Sequence, residues 1–358
     1  MNENKPLRLL MVGAFATDYP RQQIIRAGLE QVAVTVILAQ TPRGLNTLRT
    51  IPHIVSHWRA IRDCDVVFVP AFNQLIAPLI VIIARLFGKP ILIDYMVGLT
   101  DSLADERDQG GNFKRGIWRR IDHFNSARMR TLTDTEAHRL LFERRLGVKS
   151  GNMRILPVGV YDPWFYAQPP PPQGQIQLVQ FFGTYIPFHG VDVIIDAIAY
   201  FKDDPLVHFE LIGTGKTYSD CRKQAETLGL RDKISFVERI APEQLPARVA
   251  EAAICLGVFG ARDKTDYVVP NKVFQSMTVG RPVITAEASA LHEFFTPGEH
   301  LITVPPGDAE ALAHAIRALL DSPVNRIRLG DAAAARIREA FLAEHIGAQL
   351  KIILMEFI

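Results

Sequence analysis

Between Lys264 and Pro282 the chain reads Lys-Thr-Asp-Tyr-Val-Val-Pro-Asn-Lys-Val-Phe-Gln-Ser-Met-Thr-Val-Gly-Arg-Pro. Pro270 suits the first turn of a helix, where its missing N–H costs nothing. Asn271 and Lys272 then fall at the positive end of the helix dipole, among N–H groups that no carbonyl reaches, a setting that attracts a diphosphate. Gln275 lies four residues after Asn271 and three after Lys272, so the three share one face while Val273, Phe274 and Met277 turn toward a core. A capped amphipathic helix with a solvated polar side gives the same pattern.

Two upstream loops are rich in glycine. The first, Phe182-Gly183-Thr184-Tyr185-Ile186-Pro187-Phe188-His189-Gly190, follows a β-rich run and precedes a helical one. Its glycines allow close backbone approach and the helix start favours an anion, although a plain turn accounts for it equally well. The second, Gly213-Thr214-Gly215-Lys216-Thr217, ends like an ATP-binding phosphate loop but fails its spacing. Five positions before Gly215 such a loop needs glycine, and Glu210 stands there. Beyond the run Ile234 to Val237, at Arg239-Ile240, lies a further candidate contact.

These segments need a frame that presents loops. Leu9 to Val12, Val34 to Leu38, Val66 to Val69, Ile91 to Asp94 and Thr131 to Thr133 read as strands alternating with helical periods, the pattern of a parallel sheet with helices on both faces. Pro157-Val158-Gly159-Val160 and the prolines Pro169 to Pro172 interrupt it. A second series then runs through Leu178 to Phe182, His208 to Ile212, Ile234 to Val237, Ile254 to Val258, Pro282 to Thr285 and Leu301 to Val304. The expected fold class is α/β, with two doubly wound parallel-sheet domains over 1–165 and 166–340, and a helix over 341–358 packing back on the first. Ligands of such sheets sit at the strands' carboxyl ends, which puts the expected site in a cleft between the domains.

With 358 residues, 48 % hydrophobic and 22 % charged, the chain is long enough for two such cores. Cys64, Cys221 and Cys255 show no metal-ligand spacing and suit buried thiols in a reducing cytoplasm. Leu9 to Phe15 reads as a first strand rather than a signal segment, and Val66 to Gly88 is broken by Pro70, Asn73, Gln74, Pro78 and Arg85, so no membrane span is expected. A net charge of +2 hides an asymmetry: residues 1–165 hold 22 Lys/Arg against 15 Asp/Glu, the rest 18 against 23. The N-terminal half therefore suits an anionic partner. Residues 113–130 set Lys114, Arg115, Arg119, Arg120, Arg128 and Arg130 around Ile117, Trp118 and Phe124, which fits either an anionic membrane surface or a solvated helix face. No nucleic-acid module is present. His53 and His57, one turn apart, lack a third ligand, and no metal site is expected.

The segment Lys264 to Pro282 resembles the donor-site signature of family 4 glycosyltransferases of GT-B fold. The likeness runs from Pro157-Val158-Gly159 through Gly183 to Gly190, Leu211 to Gly215 and Ile234 to Val237 to Gly280-Arg281-Pro282-Val283 and Pro305-Pro306-Gly307-Asp308. It implies two Rossmann-like domains, the first binding an acceptor, the second a nucleotide diphosphate sugar. It also implies sugar transfer, usually with retention, without a bound metal or cofactor. The acceptor class is a carbohydrate, a lipid-linked molecule or a small molecule, and the location cytoplasmic or peripheral on the inner membrane face. Donor contacts carried over are Gly183, Thr184, His189, Gly190, Gly213, Gly215, Tyr267, Val268, Asn271, Lys272 and Gln275. Lys264 and Lys272 clamp the diphosphate, and Asp101, with Asp94 before it, is the acceptor-side candidate. Where relatives carry Arg and Lys in the first loop this chain has Thr184 and His189, and where they carry two carboxylates it has Tyr267 and Gln275. Two other readings follow from those departures: a non-catalytic sugar-nucleotide-binding partner subunit, or a sugar-nucleotide epimerase of similar architecture.

Overall fold

The computed structural model describes residues 6–42, 47–99, 112–148, 151–172 and 176–356. They form two compact units, Met1–Pro157 with Ala343–Ile358, and Val158–Leu342.

The first unit holds strands β1 (Leu7–Gly13), β2 (Val34–Gln40), β3 (Val66–Val69), β4 (Ile91–Asp94), β5 (Arg130–Thr133) and β6 (Met153–Ile155). All neighbours are parallel, in the order β2-β1-β3-β4-β5-β6. Five of these strands stand within two residues of their expected ends; β6, three residues long, is too short to show a pattern. The connecting helices are α1 (Pro20–Gln31), α2 (Thr47–Ser56), α3 (Trp58–Asp63), α4 (Ala77–Leu86), α5 (Asn112–Arg128) and α6 (Glu136–Leu146). Strand β3 is apolar along its length, with every side chain buried, because helices cover both faces of a parallel sheet.

The second unit holds β7 (Gln177–Phe182), β8 (Val207–Ile212), β9 (Ile234–Val237), β10 (Ile254–Leu256), β11 (Val283–Ala286) and β12 (Ile302–Val304). Their order, β12-β11-β10-β7-β8-β9, is that of a dinucleotide-binding sheet, with its direction reversing between β7 and β10. Between them run α7 (Val191–Ile198), α8 (Tyr218–Thr227), α9 (Leu245–Ala250), α10 (Asp263–Tyr267), α11 (Asn271–Thr278), α12 (Ala309–Leu320) and α13 (Pro323–Ala340). Val179, Phe181, Phe209, Leu211 and Leu256 of the sheet pack against Ile194, Ile198, Leu312 and Ile316 of the helices.

The sequence placed the first boundary at 165; the structure moves it to Pro157, because the Val160 amide donates to Phe341 O and Arg281 Nη2 reaches the carbonyls of Gln168 and Pro169. The last helix, α14 (Ala343–Met355), lies in the first unit against α1. Gly28 and Gly347 make that crossing possible: a Cβ on either would overlap the other helix's backbone.

Candidate functional site

A topological reversal leaves a crevice outside the carboxyl ends of the two strands that flank it. In the second unit those ends carry the loop 183–190 after β7 and the loop 257–262 after β10. The two loops interlock. Gly190, at φ +64°, and Gly260 leave no room for a Cβ: one on Gly190 would strike Gly260 N, one on Gly260 would strike Pro187 O. The amides of Phe259 and Gly260 donate to His189 O and Phe188 O at 3.1 and 3.2 Å.

Gly213 and Gly215 serve the same packing from the other side. A Cβ on Gly213 would overlap Gly183 O, and one on Gly215 would overlap Tyr185 O. Tyr185 N donates to Thr214 O at 2.9 Å and Thr217 N to Tyr185 O at 3.1 Å. These glycines, expected to admit a ligand, admit the neighbouring loop. Glu210 is buried in β8 and takes Arg248 Nε at 3.0 Å and Gln180 Nε2 at 2.8 Å, which makes it a structural ion pair.

Helix α11 brings the Lys272 side chain beside Gly183. Pro270 is its cap rather than its first turn, and Asn271 and Lys272 are the first two helical residues. Their amides make no hydrogen bond among the described residues, as the start of a helix requires unless a ligand supplies acceptors. The Lys272 side chain is 5 % exposed and lies along the loop: a Cβ on Gly183 would come within 2.8 Å of Nζ. Nζ sits 3.8 Å from the centre of the Phe181 ring and has no hydrogen-bond partner. Burial pushes its pKa well below the ordinary lysine value.

His189 shares this surroundings. Its Nδ1–H donates to Thr184 O, which fixes the ring and leaves Nε2 as an acceptor. Desolvation first, and the Lys272 charge second, hold its pKa well below the ordinary value. The imidazole is therefore neutral at neutral pH and acts here through hydrogen bonds rather than as a cation. Lys264, on α10, stacks its Nζ 5.4 Å from the Phe188 ring centre and also acts on His189. Gly183, His189, Lys264 and Lys272 thus converge.

The other expected residues differ in burial and in partners. Tyr267 is 8 % exposed, buried in its unit. Val268 is extended and half-buried, as is the Gln275 side chain in its helix. Thr184 is exposed, and its carbonyl, not its hydroxyl, takes the His189 bond. Arg239 and Ile240 follow β9, an edge strand two places from β7, and position 240 is apolar, so the only cation there is Arg239. Asp94 is committed elsewhere: Arg21 donates to it through Nε and Nη2 at 3.1 and 3.2 Å and through Nη1 to Leu156 O, all buried. It is a brace of the first unit. Asp101 lies outside the described residues. Sequence reading missed Phe181 as the platform of Lys272, and the loop of Gly257 and Gly260, whose paired glycines were its only signal.

The three thiols are buried and free, and burial raises each to about 11. They take no part in the site. Among the described residues no three His, Cys, Asp or Glu side chains gather as a metal site would require, and no helix is long and apolar enough to cross a membrane.

Residues 177–322 match the family model of the glycosyl transferases group 1. Among curated proteins, an MMP alpha-(1->4)-mannosyltransferase of Mycolicibacterium hassiacum is 26 % identical over 206 residues, covering 56 % of this chain and 48 % of that protein. A D-inositol 3-phosphate glycosyltransferase of Corynebacterium glutamicum is 31 % identical over 169 residues, 45 % of this chain and 39 % of that one. The chain spans less than half the length of these relatives. Among solved structures, sucrose-phosphate synthase of Thermosynechococcus elongatus superposes with a TM-score of 0.77 at 18 % identity, covering 98 % of both chains. Anabaena HepE in complex with UDP and glucose gives 0.73 at 16 %, over 98 % of this chain and all of that one. The fold is therefore GT-B-like, two Rossmann-like parallel sheets with flanking helices.

Proposed function

We propose that this protein, whose residues 177–322 match the model of the glycosyl transferases group 1, transfers a sugar from a nucleoside diphosphate sugar to an acceptor, with retention and without a metal. The observation that carries the reading is Lys272: a buried amine with no partner, laid against a glycine at the start of a loop and rooted in the first turn of a helix. A protein retains a lone buried cation at a cost of several kcal/mol unless a ligand completes it. A diphosphate does so, accepting from Lys272 Nζ, from the Asn271 and Lys272 amides and, at the rim, from Lys264.

The reaction follows from that placement. As the bond between the anomeric carbon and the diphosphate breaks, negative charge grows on the phosphate oxygen, and fixed donors in a water-poor pocket stabilise it. The same oxygen takes the acceptor's proton while the acceptor attacks from the face the diphosphate leaves, so configuration is retained. Neutral His189 offers Nε2 to a hydroxyl of the donor. The first unit holds the acceptor, a carbohydrate, lipid-linked or small molecule. Helix α5, with Lys114, Arg115, Ile117, Arg119 and Arg120 exposed, faces an anionic membrane surface.

A thermal-shift screen against UDP, GDP, dTDP and ADP tests the reading, since a ligand bound only by the native state raises Tm. One nucleotide should give a clear rise that Lys272→Ala removes; no rise with any, in a folded sample, sinks the donor site. A second reading, a donor-binding subunit without turnover, draws on Tyr267 and Gln275, neither of which carries a carboxylate. Tight donor binding with no transfer or hydrolysis would favour it.

A further inference from the structure

In the first sheet β2 pairs with one side of β1 and β3 with the other, so the order β2-β1-β3-β4-β5-β6 reverses between β1 and β3. The crevice of that unit therefore lies outside the carboxyl ends of these two strands, which residues 14–19 and 70–76 follow. In the second segment the usual burial is inverted. Asn73 and Gln74 are 3 % exposed, whereas Phe72 beside them is 50 % exposed. Its φ of +68° lies in the left-handed region, which a bulky side chain rarely adopts.

The polar neighbours hold it there. Asn73 Oδ1 accepts from the Ala14 amide at 2.7 Å, and Nδ2 donates to the carbonyls of Pro70 and Ala71 at 3.0 and 3.1 Å. The Gln74 carbonyl accepts from Asn125 Nδ2 of α5 at 2.9 Å. A strained backbone persists only where its surroundings over-determine it, and here buried amides fix a turn that presents an aromatic ring to solvent. That ring meets Tyr19, at the head of α1, edge to face with the centres 5.6 Å apart.

What flanks the pair decides the ligand chemistry. A diphosphate is disfavoured, since neither segment carries Lys or Arg and α1 begins at Pro20, which has no N–H to offer. Counted from Gly13, the second and third glycines of a dinucleotide-binding turn are replaced by Phe15 and Asp18. Asp18, exposed and next to Tyr19, accepts from hydroxyl groups. An uncharged ring with C–H groups on one face and hydroxyls at its edge suits both, because polarised C–H groups rest on the negative face of an aromatic ring.

We propose that Phe72 and Tyr19 form the platform on which a pyranose ring of the acceptor lies, with Asp18 accepting from its hydroxyls. The assignment rests on the acceptor role proposed above for the first unit and narrows the acceptor to one that carries a sugar.

The test titrates the full chain with the methyl α-glycosides of glucose, galactose, mannose and N-acetylglucosamine, and with adenosine, by saturation-transfer NMR. Three variants accompany the wild type. Phe72→Gly removes the ring and suits a positive φ, so it should fold; Phe72→Tyr keeps the ring; Leu86→Ala removes a 78 % exposed apolar side chain at the end of α4. At least one glycoside should bind the wild type, Phe72→Gly should weaken it roughly fivefold or more, and Phe72→Tyr and Leu86→Ala should match the wild type. No glycoside binding by the wild type, equal affinity in Phe72→Gly, or an equal loss in Leu86→Ala overturns the platform. Adenosine binding lost in Phe72→Gly, with no glycoside bound, overturns it in favour of a base. The UDP-induced rise in Tm of the wild type reads the donor site separately. A rise without glycoside binding overturns the platform alone, and glycoside binding lost in Phe72→Gly without any rise upholds the platform and overturns the donor site.

Discussion

Lys272 Nζ stands 3.8 Å above the Phe181 ring with no hydrogen-bond partner, on a side chain 5 % exposed. The ring face attracts a cation, but only by about 2 kcal/mol even when desolvated, against a desolvation penalty of several kcal/mol. The fold alone therefore disfavours this amine. Lys272→Met, similar in length and free of charge, should raise Tm by several degrees, corresponding to roughly 1–4 kcal/mol, while abolishing any nucleotide-induced rise. Thermal unfolding of both proteins with and without UDP checks this; a variant less stable than the wild type overturns the account of the amine as strained.

The sign of the pH dependence follows. Burial places the folded pKa of Lys272 below its unfolded value, so between the two the unfolded chain holds more protons. Wild-type stability relative to Lys272→Met should then rise with pH through that window and be lowest below it. A diphosphate reverses the shift by supplying negative charge, so binding takes up a proton wherever the free amine is neutral. Calorimetry of UDP binding to the wild type in buffers of different ionisation enthalpy should show this proton uptake, and binding without it overturns the account.

The glycines separate packing from binding. A Cβ on Gly213, at φ +131°, would overlap the Gly183 carbonyl, and backbone cannot swing aside as a side chain does. Gly213→Ala should cost on the order of 2–4 kcal/mol of stability. At Gly183 the obstacle is Lys272 Nζ, the far end of a flexible side chain. Gly183→Ala should therefore lose more nucleotide affinity per kcal/mol of stability than Gly213→Ala, by paired denaturation and UDP titrations.

In the first unit, Gly347→Ala would drive a methyl group into the Gly28 backbone. The variant should lose about 2 kcal/mol or more, and amide exchange should rise in α14 and α1 together.

The parallel sheets were legible because buried strands read as apolar runs between helical periods. Val66–Val69, Ile91–Asp94 and Ile234–Val237 have the bounds the residues suggest. The start of α11 was legible too, since Pro270 suits the head of a helix. The roles of the glycines were not. Sequence shows that Gly213 tolerates positive φ but not that the space beside it holds the Gly183 carbonyl. The charge state of His189 was equally hidden, because it depends on burial and on Lys272, 83 positions away. Asp94 looked free to act until Arg21, from another helix, was seen to claim both its oxygens.

Gln275 carries the last prediction. It lies one turn beyond Lys272 on α11, half-buried, with no side-chain hydrogen bond among the described residues. If it faces the donor's ribose, a carboxylate there accepts from hydroxyls more strongly than an amide does, by about 1 kcal/mol or somewhat more. Gln275→Glu should then tighten nucleoside diphosphate binding by roughly five- to tenfold. The added anion also favours the charged form of Lys272, three residues away, so proton uptake on binding should shrink in the same variant. Calorimetry reads both effects. Unchanged affinity would place Gln275 off the donor face, and the missing carboxylate would no longer argue for a protein that binds its donor without turning it over.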